Sequence, residues 1–239
     1  MRGGHPNQAR DRCFFGPPDR NRLSRANEEA DILGSPVKSN GALDPEIREA
    51  LKNALRQADP SAAIIEELPL LRGRGRADLA FVNGRLCGFE IKSDADSLVR
   101  LGTQTEHYQS VFEMVTLVAA GKHLRHARRR VPRCWGLMEV ARLDGEIVLR
   151  SRRKPRVNRD IDKAAVSRLL WKNECVRMLR KQGICARSGM PVQHLWELIE
   201  SLPSKVICDE VREALKLRQR RSDSRQIRCD DLRTTAAIG

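Results

Sequence analysis

Asp78, Glu90 and Lys92 are the residues of this chain whose types and spacing best suit chemistry. Glu90 and Lys92 lie two apart, so on a strand their side chains share a face. Asp78 joins them if the turn at Asn83-Gly84 takes in Arg85 as a third residue, which pairs Asp78 with Glu90. A strict two-residue turn would pair Asp78 with Phe89 and send it to the opposite face. The three-residue register is the one predicted. It sets Asp78, Ala80, Glu90 and Lys92 on one face and Leu79, Phe81, Phe89 and Ile91 on the other. Directly opposed carboxylates have Cβ atoms roughly 5 Å apart and repel unless a cation lies between them. Hard oxygen donors select Mg²⁺ or Mn²⁺, and such an ion activates water and stabilises charge on a phosphate. Lys92 could orient or deprotonate that water, or pair with a phosphodiester. Arg72, Arg74 and Arg76 precede Asp78 and are candidates to hold a nucleic-acid backbone. The rival is a salt-bridged sheet end in which Lys92 neutralises both acids and nothing reacts. Against it, the acids end apolar, central strands, where idle charge is expensive.

The elements that must position these groups are legible in the pattern. Asp44-Pro45 opens a helix carried by Ile47, Ala50, Leu51, Ala54 and Leu55 and stopped at Asp59-Pro60. Residues 62–68 read as a strand and 72–76 as a basic loop. Residues 77–82 and 86–92 form a hairpin whose arms are apolar on both faces, as strands inside a covered sheet are. A helix is expected over roughly 97–112, a strand over 113–119, a short basic helix over 122–130 and a strand over 134–140. The domain reading is a disordered basic extension over 1–42, a core over 43–150 and a basic linker over 151–160. A bundle of about three helices over 161–218 and a loose polar tail over 219–239 complete it. Trp135, Trp171 and Trp196 each lie in an apolar pattern and are expected in the core. Arg128–Arg130 and Arg150–Arg156 are compatible with phosphate contacts, although charge runs are usually only solvated.

Composition narrows the classes of partner. The chain has 239 residues, 45 Lys+Arg against 31 Asp+Glu, and a formal net charge of +14. That excess excludes an acidic solvating protein and favours a polyanion, with nucleic acid ahead of a membrane surface. No apolar stretch approaches the roughly 20 residues that span a bilayer, and the N-terminus lacks the apolar region of a secretory signal. Seven cysteines, widely spaced and with no CxxC, argue against disulfides, a zinc ribbon or an iron–sulfur appendage and suit a cytoplasmic protein.

Asp78 followed by Glu90-Ile91-Lys92 after an Asn-Gly hairpin resembles the core of the PD-(D/E)XK nuclease superfamily, with Ala77 in place of the proline. Gln104-x-x-x-Tyr108 resembles the QxxxY motif of its RecB-like branch. More narrowly, Glu66-Glu67-Leu68, Gly75-Arg76-Ala77-Asp78, Gly88–Asp94 and Leu169-Leu170-Trp171 resemble the bacterial sce7726 family, related to MmcB-type repair nucleases, over roughly residues 43–215. The resemblance implies a restriction-endonuclease-like core (α-β-β-β-α-β, mixed sheet) with a small C-terminal helical domain. It implies Mg²⁺- or Mn²⁺-dependent hydrolysis of DNA phosphodiesters in repair, recombination or defence. Asp78 and Glu90 would bind the metal, with the Ile91 carbonyl and Glu67 as further ligands. Glu46 is an alternative acid on the first helix. Lys92 would serve the water, and Gln104 and Tyr108 would position groups. Two rivals stand beside this reading: a non-catalytic DNA-binding protein on the same fold, and a subunit that needs a protein partner. A homodimer is also open.

Overall fold

The structure is a computed structural model that describes residues 42–236, with side chains described through Ser224. Residues 1–41 of the expected extension therefore lie outside the described residues. The elements run α1 (Asp44–Ala58), β1 (Ala63–Leu70), β2 (Gly75–Val82), β3 (Leu86–Lys92), α2 (Leu101–Val111), β4 (Met114–Ala120) and α3 (Gly121–Ala127). They continue with β5 (Gly136–Leu143), β6 (Glu146–Arg153), α4 (Lys163–Ser167), α5 (Lys172–Lys181), α6 (Val192–Glu200) and α7 (Ser204–Ala236). A single mixed sheet holds the strands in the order β1-β2-β3-β4-β5-β6. Pairing is antiparallel from β1 to β3, parallel from β3 to β5, and antiparallel again at β5–β6. The protein is thus α/β, with helices on both faces of the sheet.

Strand alternation sorts the core into two layers. Leu79, Phe81, Phe89 and Ile91 are buried and project to the α1 side, where α1 packs across β3 and β6. Ile47, Leu51 and Leu55 form the apolar stripe of α1, and each is 0% exposed. Burial of each such side chain contributes about 1.5–3 kcal/mol. On the other face, Ala80, Val82, Leu86 and Leu117 join Leu101, Tyr108 and residues of α4–α7 in one hydrophobic cluster. Gly88 permits the close approach of α2. A Cβ there would lie 2.6 Å from the Phe112 ring.

The C-terminal helices are anchored to the sheet. Arg212 of α7 pairs with Glu113, whose Oε2 also accepts the Leu86 N–H at 2.7 Å. Four helices, α4–α7, stand where about three are expected. Residues 151–153, expected as the start of a basic linker, close β6 instead: an edge strand tolerates arginines on its solvent side. The tail expected to be loose belongs to α7, which runs to Ala236. Trp135 and Trp196 are in the core, but Trp171 is 59% exposed under the Arg218 guanidinium, 4.0 Å from its ring centroid. Among the described residues no helix is long and apolar enough to cross a membrane.

Candidate functional site

The β2–β3 register decides the geometry. Leu79 faces Phe89 and Val82 faces Leu86, so continuation of the ladder sets Asp78 opposite Glu90. The turn is the three-residue Asn83-Gly84-Arg85, with the Asn83 N–H donating to the Arg85 carbonyl at 3.2 Å. Asp78, Glu90 and Lys92 thus share the sheet face covered by α2, and Tyr108 on that helix lies over them. The Tyr108 hydroxyl accepts the Asp78 N–H at 3.0 Å and donates to the Phe89 carbonyl at 3.1 Å. Its oxygen ties β2, β3 and α2 together.

Each acid has internal partners. Asp78 Oδ2 accepts the Ile91 N–H at 2.7 Å. Lys92 Nζ lies 2.6 Å from Glu90 Oε1, and the Glu90 side chain is 0% exposed. Glu90 Oε2 is buried with no hydrogen-bond partner, while the Oε1 contact with Lys92 is an ion pair without hydrogen-bond geometry. Burial and then the Glu90 charge push the Asp78 carboxyl up to about 7, against the pull of the Ile91 N–H, Arg48 and Lys92. Burial, Glu90 and Asp78 likewise push the Tyr108 phenol well above its ordinary range.

Arg48 of α1 is the member that the sequence reading misses. Its Nη1 donates to the Asp78 carbonyl at 2.7 Å and lies 3.0 Å from Glu67 Oε1. Its Nη2 lies 3.1 Å from Asp44 Oδ1 and 3.7 Å from Asp78 Oδ1. Burial works against the Arg48 charge, but Asp44, Asp78 and Glu67 outweigh it and hold its pKa above the usual value. The available signal was the Asp44–Arg48 spacing on one helix face, one turn apart. Glu67 sits across from Asp78 in the β1–β2 register but outside the regular ladder, with a left-handed φ of 54°. Its carboxylate goes to Arg48 and Arg76, so it is not placed as a ligand beside Asp78 and Glu90. Glu46 caps the Leu43 N–H at 3.0 Å and pairs with Arg142 at 2.5 Å. That corrects its candidacy for the acid cluster. Gln104 lies one turn before Tyr108 on α2, and its Oε1 is buried without a hydrogen-bond partner.

Among the described residues no three His, Cys, Asp or Glu side chains converge as a metal-binding group. The donor set that fits a divalent cation is Asp78 and Glu90, with the Ile91 carbonyl at the same strand end. The orphaned Glu90 Oε2 is the atom that a further cation or proton would satisfy. In the basic loop, Arg72 lies 5.5 Å from the Trp196 ring centroid and Arg76 pairs with Glu67. Arg74 is exposed and has no ion-pair partner among the described residues.

A profile of the family described as Bacteriophage P4 protein cII matches residues 38–235. The chain belongs to the bacteriophage P4 protein cII family. Protein cII of Enterobacteria phage P4 is 35% identical over 152 residues, which is 64% of this chain and 56% of that protein. The chain thus spans little more than half the length of that relative. No solved structure matches. Membership in the cII family overturns the assignment to the sce7726 and PD-(D/E)XK nuclease group. With it fall the expectation of an Mg²⁺-dependent deoxyribonuclease and the repair or defence setting that the resemblance implied. The motif misleads for a physical reason. A D…ExK pattern records two acids and a lysine on one sheet face. In this chain the pattern lies at a sheet centre where Lys92 pairs with Glu90, Arg48 lies beside Asp78 and the Tyr108 hydroxyl accepts the Asp78 N–H.

Proposed function

We propose that this protein binds duplex DNA in the cytoplasm through its cationic surface, with the Asp78–Glu90–Lys92–Tyr108 cluster bracing the centre of the sheet. The observation that carries the reading is the net charge of +14. Lys92 pairs with Glu90, Arg48 with Asp78 and Arg76 with Glu67, and the cations in excess of the acids remain for an external polyanion. Arg74 extends from the β1–β2 loop as one phosphate contact, while Arg72 and Arg76 hold the loop in place. The order helix, three strands, helix, strand, with β3 and β4 parallel, supports a restriction-endonuclease-like core used as a binding platform. Asp78 and Glu90 are the residues that would hold Mg²⁺ or Mn²⁺. Such an ion would supply the positive charge that the unsatisfied Glu90 oxygen lacks.

The test is fluorescence anisotropy of a labelled random duplex of about 20 base pairs, titrated with the full chain in Mg²⁺ and in EDTA. The expected dissociation constant is on the order of micromolar or tighter at low salt in both buffers, and the DNA is recovered at full length. Absence of binding in either buffer at low salt defeats the proposal.

A further inference from the structure

Two arginine-rich segments that are distant in sequence lie side by side. Arg128–Arg133 lies between α3 and β5, and Arg153–Arg156 runs from the last residue of β6. The Arg153 Nε donates to the Trp135 carbonyl at 2.7 Å and its Nη2 to the Pro132 carbonyl at 3.1 Å. The Arg156 N–H donates to the Cys134 carbonyl at 2.7 Å. Pro155 packs on Gly136, where a Cβ would lie 2.8 Å from the proline Cδ.

Beyond these contacts Asn158 locks the second segment to α2. It is 4% exposed. Its Nδ2 donates to the Gln109 and Phe112 carbonyls at 2.6 and 3.0 Å, and its Oδ1 accepts from Gln109 Nε2 at 2.6 Å. Gln109 Oε1 in turn accepts the Trp135 indole N–H at 2.9 Å. From the other side, Arg130 Nη1 donates to the Leu98 carbonyl at 3.3 Å.

The result is a fixed ledge rather than a solvated run. Neither 121–138 nor 147–159 contains an acidic residue. Among the described residues, Glu139 pairs with Arg152 at 2.5 Å and Asp94 with Lys122 at 3.5 Å. Arg128, Arg129, Arg133 and Arg156 are exposed and carry no ion pair among the described residues. Burial and the charges of Arg128 and Arg156 lower the Arg153 pKa, as expected where cations face one another without an anion between them. Rigid backbone that holds unpaired guanidinium groups at fixed spacing suits bidentate contact with phosphates.

We infer that the ledge formed by Arg128–Arg133 and Arg153–Arg156 is the principal contact surface for the phosphodiester backbone of duplex DNA. The inference rests on the DNA-binding reading above and adds to it the place where the backbone lies. It sets the main contact on the α3–β5 and post-β6 segments, with the β1–β2 loop as a lesser one.

The experiment compares the full chain with Arg128→Glu/Arg156→Glu and with a charge-matched control, Lys172→Glu/Arg177→Glu, on exposed positions of α5. Affinity for the same labelled duplex is measured across a salt series, and circular-dichroism melting checks each fold. The ledge variant is expected to bind at least tenfold more weakly and to flatten the log–log salt slope by about 2, from two lost phosphate contacts. The control is expected to change affinity less than threefold. If the ledge variant melts early, Arg128→Gln/Arg156→Gln replaces it, with the same expected flattening. Equal losses in ledge and control variants, or no loss in the ledge variant, overturn the ledge while the DNA-binding reading stands. A wild-type chain that fails to bind DNA overturns both. Ledge-dependent binding to vesicles of anionic phospholipid without binding to DNA also overturns the proposal and assigns the surface to a membrane.

Discussion

Asp78 is a carboxyl group that burial and Glu90 hold partly protonated near neutral pH, with its value pushed up to about 7. The sign of the linkage follows directly. Between the ordinary carboxylate range and pH 7 the folded chain keeps a proton that the unfolded chain has lost. Stability contributed by this group therefore falls as pH rises across that interval and levels off above it. The full effect is up to about 4 kcal/mol. Asp78→Asn keeps an oxygen for the Ile91 N–H and removes the charge. The variant is expected to melt several degrees above the wild type at pH 8 and to match it at pH 4. Parallel melting curves at both pH values would refute the protonation argument. Mg²⁺ supplies a second readout of the same pair. It should raise the wild-type melting temperature at pH 8 and leave Asp78→Asn unchanged, as measured by differential scanning calorimetry with and without EDTA.

At the scale of elements, the decisive contact is between α2 and β3. Gly88 accepts the Phe112 ring where a Cβ would stand 2.6 Å away, and both residues are buried. Gly88→Ala is expected to cost about 1–3 kcal/mol in a denaturant titration. Adding Phe112→Leu should cost less in the Gly88→Ala background than in the wild type, and strict additivity of the two would exclude the steric account. The hairpin that carries Asp78 and Glu90 was legible in the sequence because Asn83-Gly84 marks a turn, and taking Arg85 into that turn sets the two acids on one face. The Asp44–Arg48 spacing marks a helix-face pair, but the reach of Arg48 to the Asp78 carbonyl leaves no periodic trace. Residues 151–153 looked like a linker because arginines dominate them, yet pairing with β5 needs only backbone. The exposed Trp171 reads as core until the Arg218 guanidinium over its ring is seen. The enzyme expectation failed at a different level. Residue types on one sheet face do not by themselves name a chemistry, and the family that matches is that of phage P4 protein cII.

At the scale of the whole molecule, the surplus of positive charge is the property most exposed to its surroundings. In the sheet centre, Glu90–Lys92 and Asp78–Arg48 are paired at 3.7 Å or less, and their burial reduces screening by salt. The ledge and Arg74 face water, so their attraction to a polyanion is screened within about 10 Å at 0.1 M salt. The two populations of charge therefore separate by ionic strength. A ligand that binds the folded chain at about 100 times its dissociation constant adds about 2.7 kcal/mol of stability, or roughly 5–10 °C for a folded unit of this size. Duplex DNA at low salt is expected to raise the melting temperature by that amount. Raising the salt to about 0.5 M should erase the increment, because counterion release no longer favours binding. The melting temperature of the free chain should move less over the same range, since the Glu90–Lys92 pair is buried and exposed ion pairs contribute little to stability. A DNA-induced shift that survives high salt would mean that apolar or base-edge contacts dominate. The arginine ledge would then be a minor part of the interface.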